Sequence, residues 1–192
     1  MTIPNPLEQV PLERLRARTS IKWRHFGPEV LPMWVAEMDV VPAQAIQDAI
    51  ARALRHGDTG YGHGFAYAEA HARFSADRWG FAPDPAASVT VADVMTGVFE
   101  VVRLLTDPGD EVVVTSPVYP PFHGFVRHAG RVVREAPLTA DARLDVDAID
   151  AALASATAGG RRAMVLLASP HNPTGTVHTR AELEGVDRKS VV

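Results

Sequence analysis

The sequence lacks cysteine altogether and has only two lysines among its 192 residues. Without cysteine there is no disulfide and no thiolate metal site, which fits a cytoplasmic protein. No apolar run approaches the roughly 20 residues needed to span a bilayer, and the N-terminus resembles no signal peptide. The net charge of -4 and the absence of a basic stripe argue against a nucleic-acid or membrane partner.

The scarcity of lysine limits the chemistry open to the chain. Lys22 and Lys189 are the two lysines, and every other basic residue is arginine. Reactions that need a lysine nucleophile therefore have two candidates only. The overall composition, 46% hydrophobic and 22% charged, is typical of a globular protein that builds a core of ordinary size.

The first part of the chain predicts an arm followed by two helices. Residues 1–40 are rich in proline and predict an irregular arm with a short helix near 12–17. Apolar residues at helical spacing predict a helix that begins near Pro42 and stops at Gly57. A second helix is expected over 66–79, after a glycine-rich loop.

Residues 41–184 predict a partial α/β domain. Strands are expected at 88–92, 110–115, 131–136 and 163–168, and helices at 97–105, 122–128 and 146–156. Alternation of apolar strands with helices indicates a mainly parallel sheet with flanking helices. Right-handed crossovers then place the carboxyl ends of the strands at one edge, where such sheets bind ligands.

The C-terminal residues form an unusual pattern. Thr179 to Glu182 is a capping-box sequence that predicts the start of a helix. Few apolar residues follow, so we expect an atypical tail over 185–192. Two interpretations remain open: a short terminal helix, or a chain that is truncated, which we favour.

Three loops contain residue types that are suited to ligand binding. Residues 169–175 (SPHNPTG) follow an apolar strand, residues 116–122 (SPVYPPF) follow another, and residues 95–99 (MTGVF) lead into a helix. Each has an ordinary structural interpretation as a turn, a stiff corner or a helix start. Each also has a functional one: an amide side chain at a ligand crevice, a flat aromatic face, and backbone amides that bind an anion.

Together with two further segments, these loops resemble a known family. The segments are 31–39 (LPMWVAEMD), 56–62 (HGDTGYG), 96–98 (TGV), 117–122 (PVYPPF) and 170–175 (PHNPTG). The chain resembles fold-type I pyridoxal-phosphate (PLP) enzymes of aminotransferase class I/II fold, in the cystathionine β-lyase and cysteine-S-conjugate β-lyase group. The likeness covers residues 22–184, about the first half of such an enzyme.

The resemblance implies roles for particular residues. It implies that Gly97 and Val98 present backbone amides to the PLP phosphate, that Tyr119 stacks on the ring and that Asn172 hydrogen-bonds the ring oxygen. It implies further that Tyr61 reaches the cofactor of a partner subunit in a homodimer. Two backbone positions, Val35 and Ala36, are expected near the substrate carboxylate.

The resemblance also implies residues that are not found here. The family holds PLP on a lysine in a Ser-x-x-Lys setting, and neither Lys22 nor Lys189 has that setting. The acidic partner of the ring nitrogen and the carboxylate-binding arginine are not found either. We therefore expect no catalytic residue in this chain and a chain that is inactive by itself.

The expected function is that of the family. Its members cleave a cysteine thioether such as cystathionine into a thiol, pyruvate and ammonia. A PLP-dependent aminotransferase is the alternative within the fold, and a non-catalytic truncated or regulatory domain is the alternative from another class. The histidines form no metal-binding motif, and no serine lies in a hydrolase motif.

Overall fold

The computed structural model describes residues 4–188 and divides the chain into two compact units, residues 1–70 and 71–192. We call these the N-terminal unit and the C-terminal unit. None of the described helices is long and apolar enough to cross a membrane. The elements in chain order are α1 Leu12–Arg16, α2 Ile21–Arg24, α3 Gln44–His56, α4 Ala66–Trp79, α5 Val94–Leu105, β1 Glu111–Val114, α6 Pro121–His128, β2 Val132–Glu135, α7 Val146–Ala156, β3 Ala163–Leu166 and α8 Arg180–Asp187.

The N-terminal unit contains the irregular arm and α3. The arm has the expected helix at α1 and a second short helix, α2, that the sequence pattern did not predict. Helix α3 ends at Gly57, whose φ of 67° lies in the left-handed region that glycine adopts without a Cβ penalty. The predicted stop at Gly57 is confirmed.

The C-terminal unit has a three-stranded sheet in the order β2-β1-β3, with both pairs parallel. Val114 at the end of β1 is in register with Glu135 of β2 and Leu166 of β3. Because β1 lies between its neighbours, all four of its residues are buried. The predicted α/β architecture with a parallel sheet is confirmed.

Helices cover both faces of the sheet. Side chains alternate along β1, so Val112 and Val114 join one apolar cluster while Val113 joins the other. Helices α5 and α6 contribute to the first cluster, and α7 and α8 to the second. The sheet is therefore the middle layer of three, and its carboxyl edge is left for the loops.

Arg131 connects the C-terminal ends of α5 and α6, which lie on one face of the sheet, by hydrogen bonds. Its buried guanidinium donates to Thr106 Oγ1 at 3.0 Å and to the carbonyls of Thr106 and Ala129. Those carbonyls lie at the C-terminal ends of α5 and α6, where backbone acceptors lack helical partners. A cation there also complements the helix dipoles.

Several sequence predictions are wrong in detail. Residues 88–92 form no strand, and α5 begins at Val94 rather than at Gly97. On α5 only Val102 is fully buried, and Val101 and Leu105 are about half exposed. Helix α8 includes residues 185–187, which we expected in the tail, because Val186 packs in the second cluster. Residues 189–192 lie outside the described residues.

Candidate functional site

The candidate site lies at the carboxyl edge of the sheet. The loop after β1 contains Tyr119, and the loop after β3 contains Asn172. Since β1 and β3 are adjacent and parallel, both loops leave the sheet at the same edge. The structure thus places two of the predicted site residues in neighbouring loops.

His171 joins these two loops. Its Nε2 lies 3.2 Å from the carbonyl oxygen of Thr115, at the start of the first loop. Its own backbone closes a tight turn, in which His171 N donates to Thr176 O and Gly175 N donates to His171 O, both at 2.7 Å. The side chain is only 1% exposed. The position of His171 is therefore fixed. Because Asn172 follows it directly, the backbone from which the asparagine side chain extends is fixed as well.

Tyr119 and Asn172 have side chains with open polar groups. The Tyr119 ring is 36% exposed and makes an edge-to-face contact with Phe122, at 5.9 Å between ring centroids. Within residues 4–188 neither the Tyr119 hydroxyl nor the Asn172 amide makes a hydrogen bond, and Asn172 is exposed. A supported aromatic face and a free amide, in loops that leave the sheet at the same edge, fit a flat heteroaromatic ring that carries an oxygen.

Val98 lies close to the first loop, but neither Gly97 nor Val98 is at a helix start. Val98 packs against the apolar cluster that contains Val118 and Phe122. Because α5 begins early, Gly97 is within the helix and its N–H donates to Asp93 O at 3.0 Å. The expected turn of free amides within residues 95–99 is therefore not found, because these residues are helical.

Asp93 occupies the start of α5 instead. Its carboxylate accepts from the Thr96 N–H at 2.8 Å and from the Thr96 hydroxyl at 2.7 Å. These side-chain and backbone hydrogen bonds lower the pKa of Asp93. An aspartate N-cap is a common way to satisfy first-turn amides, and it puts a negative charge where an anionic ligand would bind.

A buried group of polar atoms lies beneath the site. Thr115 Oγ1, His171 Nδ1 and both ring nitrogens of His178 are buried without a hydrogen-bond partner among the described residues. The two histidine rings meet edge to face, at 5.7 Å between centroids. Burial, followed by the charge interaction with His178, lowers the pKa of His171. The lowered pKa makes the His171 imidazole a neutral donor or acceptor near neutral pH.

In the N-terminal unit, Val35 has a backbone conformation that is unusual for its residue type. Its φ of 62° lies in the left-handed region, which a β-branched side chain rarely adopts. Val35 and Ala36 are both exposed. Backbone strain of this kind is concentrated at ligand-binding segments, so the observation supports the prediction for this segment without depending on the resemblance.

Lys22, in the same unit, has its amine in hydrogen bonds and is therefore not a free amine. It is 8% exposed, and its Nζ donates to Asp39 Oδ2 and to Glu37 O, each at 2.8 Å. Desolvation raises the pKa of Asp39, but hydrogen bonds from Lys22 and Trp23 outweigh it, so the pKa is lowered overall. Lys189 lies outside the described residues.

Tyr61 projects from the glycine-rich loop and is fully exposed, at 105% of its reference area. Its side chain has no partner within residues 4–188. The structure therefore gathers Gly97, Val98, Tyr119 and Asn172 in the C-terminal unit, while Tyr61, Val35 and Ala36 belong to the N-terminal unit.

Sequence reasoning missed two features. Asp93 stands three residues before Thr96, an N-cap spacing that was available in the sequence. The role of Lys22 had no such signal, because its partners Glu37 and Asp39 are 15 and 17 residues away.

Comparison with known proteins identifies the family of this chain. The profile of the family described as aminotransferase class I and II matches residues 35–191. A Mycobacterium leprae protein provisionally named cystathionine beta-lyase is 52% identical over 187 residues, which are 95% of this chain and 46% of that protein. The cystathionine beta-lyase of Corynebacterium glutamicum is 33% identical and covers 86% of this chain and 43% of its own length.

A solved structure gives the same result for the fold. Cystalysin from Treponema denticola, whose crystal structure contains pyridoxal 5′-phosphate, superposes with a TM-score of 0.82 at 25% identity. The match covers 98% of this chain and 49% of that chain. The fold and the sequence match together define a PLP-transferase-like domain. The chain belongs to the aminotransferase class I and II family, and it spans about half the length of the curated relatives it matches.

Proposed function

We propose that this chain supplies part of the cofactor site of a PLP-dependent C–S β-lyase. The observation that carries the proposal is that the Tyr119 loop and the Asn172 loop leave adjacent parallel strands at one edge of the sheet and are joined by the His171–Thr115 contact. The relatives named cystathionine beta-lyase support the reaction class. The substrate we propose is cystathionine or another cysteine thioether, cleaved to a thiol, pyruvate and ammonia.

Each site residue has a defined task in this proposal. Tyr119 packs its face against the cofactor ring, and Asn172 donates its amide N–H to the ring oxygen. Gly97 and Val98 would bind the phosphate with their amides if the first turn of α5 opened away from Asp93. PLP, when bound, stabilises the negative charge that develops at the substrate Cα.

We further propose that Val35 and Ala36 contact the substrate carboxylate through their backbone. The amides of a segment held in a left-handed conformation are displayed rather than used in a helix or sheet. Tyr61 is proposed to reach the cofactor bound by a second subunit, because its exposed side chain has no partner among the described residues. This assignment requires a homodimer.

The chain alone is proposed to bind PLP reversibly and without turnover. Lys22 is buried with its amine committed to two acceptors, and so it is a poor nucleophile for a cofactor carbonyl. Mixing the chain with PLP, reducing with borohydride and mapping the product by mass spectrometry tests this directly. We expect no stoichiometric adduct on a single lysine. A stoichiometric adduct together with pyruvate formation from cystathionine would contradict the proposal.

The reaction type needs a separate experiment. Residues 35–188 of this chain can replace the matching segment of the Mycobacterium leprae relative, which is 52% identical and so offers a compatible partner. We expect the chimera to release pyruvate from L-cystathionine without an added 2-oxo acid. Strict dependence on a 2-oxo acid would support an aminotransferase, the alternative within the same fold.

A further inference from the structure

The strained segment at Val35 is held from both sides by residues of the arm. On the upstream side, the Trp34 ring contacts His25 and Phe26, at 4.8 and 5.6 Å between ring centroids. On the downstream side, residues 37–40 are bonded to side chains of residues 18–23. A valine in the left-handed region is strained, and this conformation persists only where its surroundings determine the backbone.

The downstream contacts bind the backbone itself as well as side chains. Lys22 Nζ donates to the carbonyl of Glu37 at 2.8 Å, and Arg18 Nη2 donates to the carbonyl of Val40 at 2.8 Å. Asp39 lies between these two bonds. Its Oδ2 accepts from Lys22 at 2.8 Å and its Oδ1 accepts from Trp23 Nε1 at 2.9 Å.

Burial strengthens these hydrogen bonds. Lys22 and Trp23 are 8% and 9% exposed, so the ion pair and the indole hydrogen bond are largely shielded from solvent. Charge-assisted hydrogen bonds are about twice as strong as neutral ones, and removing one member of a buried pair leaves its partner uncompensated. A lysine at this position therefore has a reason to be present that is independent of cofactor chemistry.

We propose that Lys22 and Asp39 are positioning residues that hold the backbone at Val35 and Ala36 in the conformation that receives the substrate carboxylate. We call the hydrogen-bonded group of Lys22, Trp23 and Asp39 the clamp. The identity of the ligand rests on the proposed function, whereas the clamp is defined by the contacts of these three residues. Lys22 acts by donating to Glu37 O, two residues after Val35, and Asp39 fixes the lysine by its charge.

Two variants and a matched control test the clamp in the whole chain. Lys22→Met keeps the length of the side chain and removes its charge, and Asp39→Asn keeps the shape and weakens the ion pair. Arg24→Met is the control, because Arg24 lies on the same helix and, within residues 4–188, its guanidinium bonds only to Ala17 O, at 3.2 Å. Hydrogen exchange measured by mass spectrometry reports on residues 34–40, with β1 as the internal reference.

We expect amides of residues 34–40 to exchange at least tenfold faster in both variants, with β1 and the Arg24→Met control unchanged. Unchanged exchange at 34–40 would overturn the proposal. Faster exchange throughout the N-terminal unit would also overturn it, because it would show general unfolding rather than local positioning.

A second readout separates the ligand from the clamp. The amide NMR signals of Val35 and Ala36 are followed during titration with L-cystathionine in the presence of PLP. We expect Lys22→Met to weaken the response at least tenfold and the Arg24→Met control to leave it unchanged. Equal responses in wild type and Lys22→Met would overturn the positioning role. No response in the wild type would refute the proposed substrate contact, and the exchange result would then decide the clamp alone.

Discussion

Asp93 shows how one residue can decide whether the start of α5 receives an anion. Its carboxylate caps the amides that a phosphate would otherwise bind. Asp93→Asn keeps the cap and removes the negative charge. We expect this variant to bind PLP about fivefold more tightly, with little change for pyridoxal, which lacks the phosphate. Comparing the two ligands by fluorescence titration checks the expectation, and equal gains for both would contradict it.

His171 is expected to make the stability of the C-terminal unit depend on pH. Burial and His178 lower its pKa in the folded chain below the ordinary 6.5, so the unfolded chain binds the proton more tightly. The free energy of unfolding is therefore expected to decrease as pH falls below about 6.5. Urea denaturation between pH 7.5 and 5.5 measures this slope.

Two variants assign that slope to a residue. His171→Gln should reduce it, whereas His63→Gln, at an exposed loop position, should leave it unchanged. A slope that is the same in wild type and His171→Gln would show that the buried histidine is not its source.

Among the secondary-structure elements, α8 depends most visibly on polar contacts. Glu182 accepts from Arg143 Nε at 2.8 Å and from the Thr179 N–H at 2.6 Å, completing a capping box. The Arg143 hydrogen bond, followed by those from Thr179, lowers the pKa of Glu182 to about 2 against desolvation. Its stabilising contribution is thus complete above pH 4.5 and is lost as pH falls towards about 2.

Substitution of Glu182 tests this contribution. Glu182→Gln should lower the free energy of unfolding by about 1–2 kcal/mol at pH 7. The control Glu184→Gln, which breaks only an exposed pair with Arg180, should cost less than about 0.5 kcal/mol. Urea denaturation at pH 7 and pH 3 measures both. A Glu182→Gln deficit that is as large at pH 3 as at pH 7 would contradict the charge explanation.

Most elements could be predicted from the sequence because local rules determine them. Helix α7 and helix α4 have the predicted bounds, and at α7 the apolar spacing agrees with the N-cap at Asp145. The region 88–97 was predicted wrongly: an N-cap at Asp93 starts α5 three residues early. The Tyr119 and Asn172 loops could be predicted from strand ends. The His171–Thr115 bond and the Lys22 clamp could not, because residues far apart in sequence form them.

For the whole molecule, exposed apolar surface is the dominant property. Ile46, Ile50 and Leu54 form one stripe on α3 and are each more than half exposed, and α3 has no buried residue. Apolar stripes of this kind normally pack against another surface. We expect the chain to self-associate and to bind the dye ANS.

Replacing the stripe tests that expectation. Glutamine at Ile46, Ile50 and Leu54 should reduce both self-association and ANS fluorescence while leaving the helix content unchanged. Sedimentation velocity and circular dichroism measure these properties. The control Val89→Gln, at an exposed valine outside the stripe, should have little effect. Unchanged association after replacement of the stripe would show that another surface is responsible.

The most direct measurement of the central claim is PLP affinity at the carboxyl edge of the sheet. Equilibrium titration of the chain with PLP is expected to show reversible binding that Tyr119→Ala weakens about tenfold and Asn172→Ala about fivefold. The control Tyr67→Ala removes an exposed tyrosine in the N-terminal unit and should bind PLP as the wild type does. Wild-type affinity in both Tyr119→Ala and Asn172→Ala would contradict the assignment of this edge as the cofactor site.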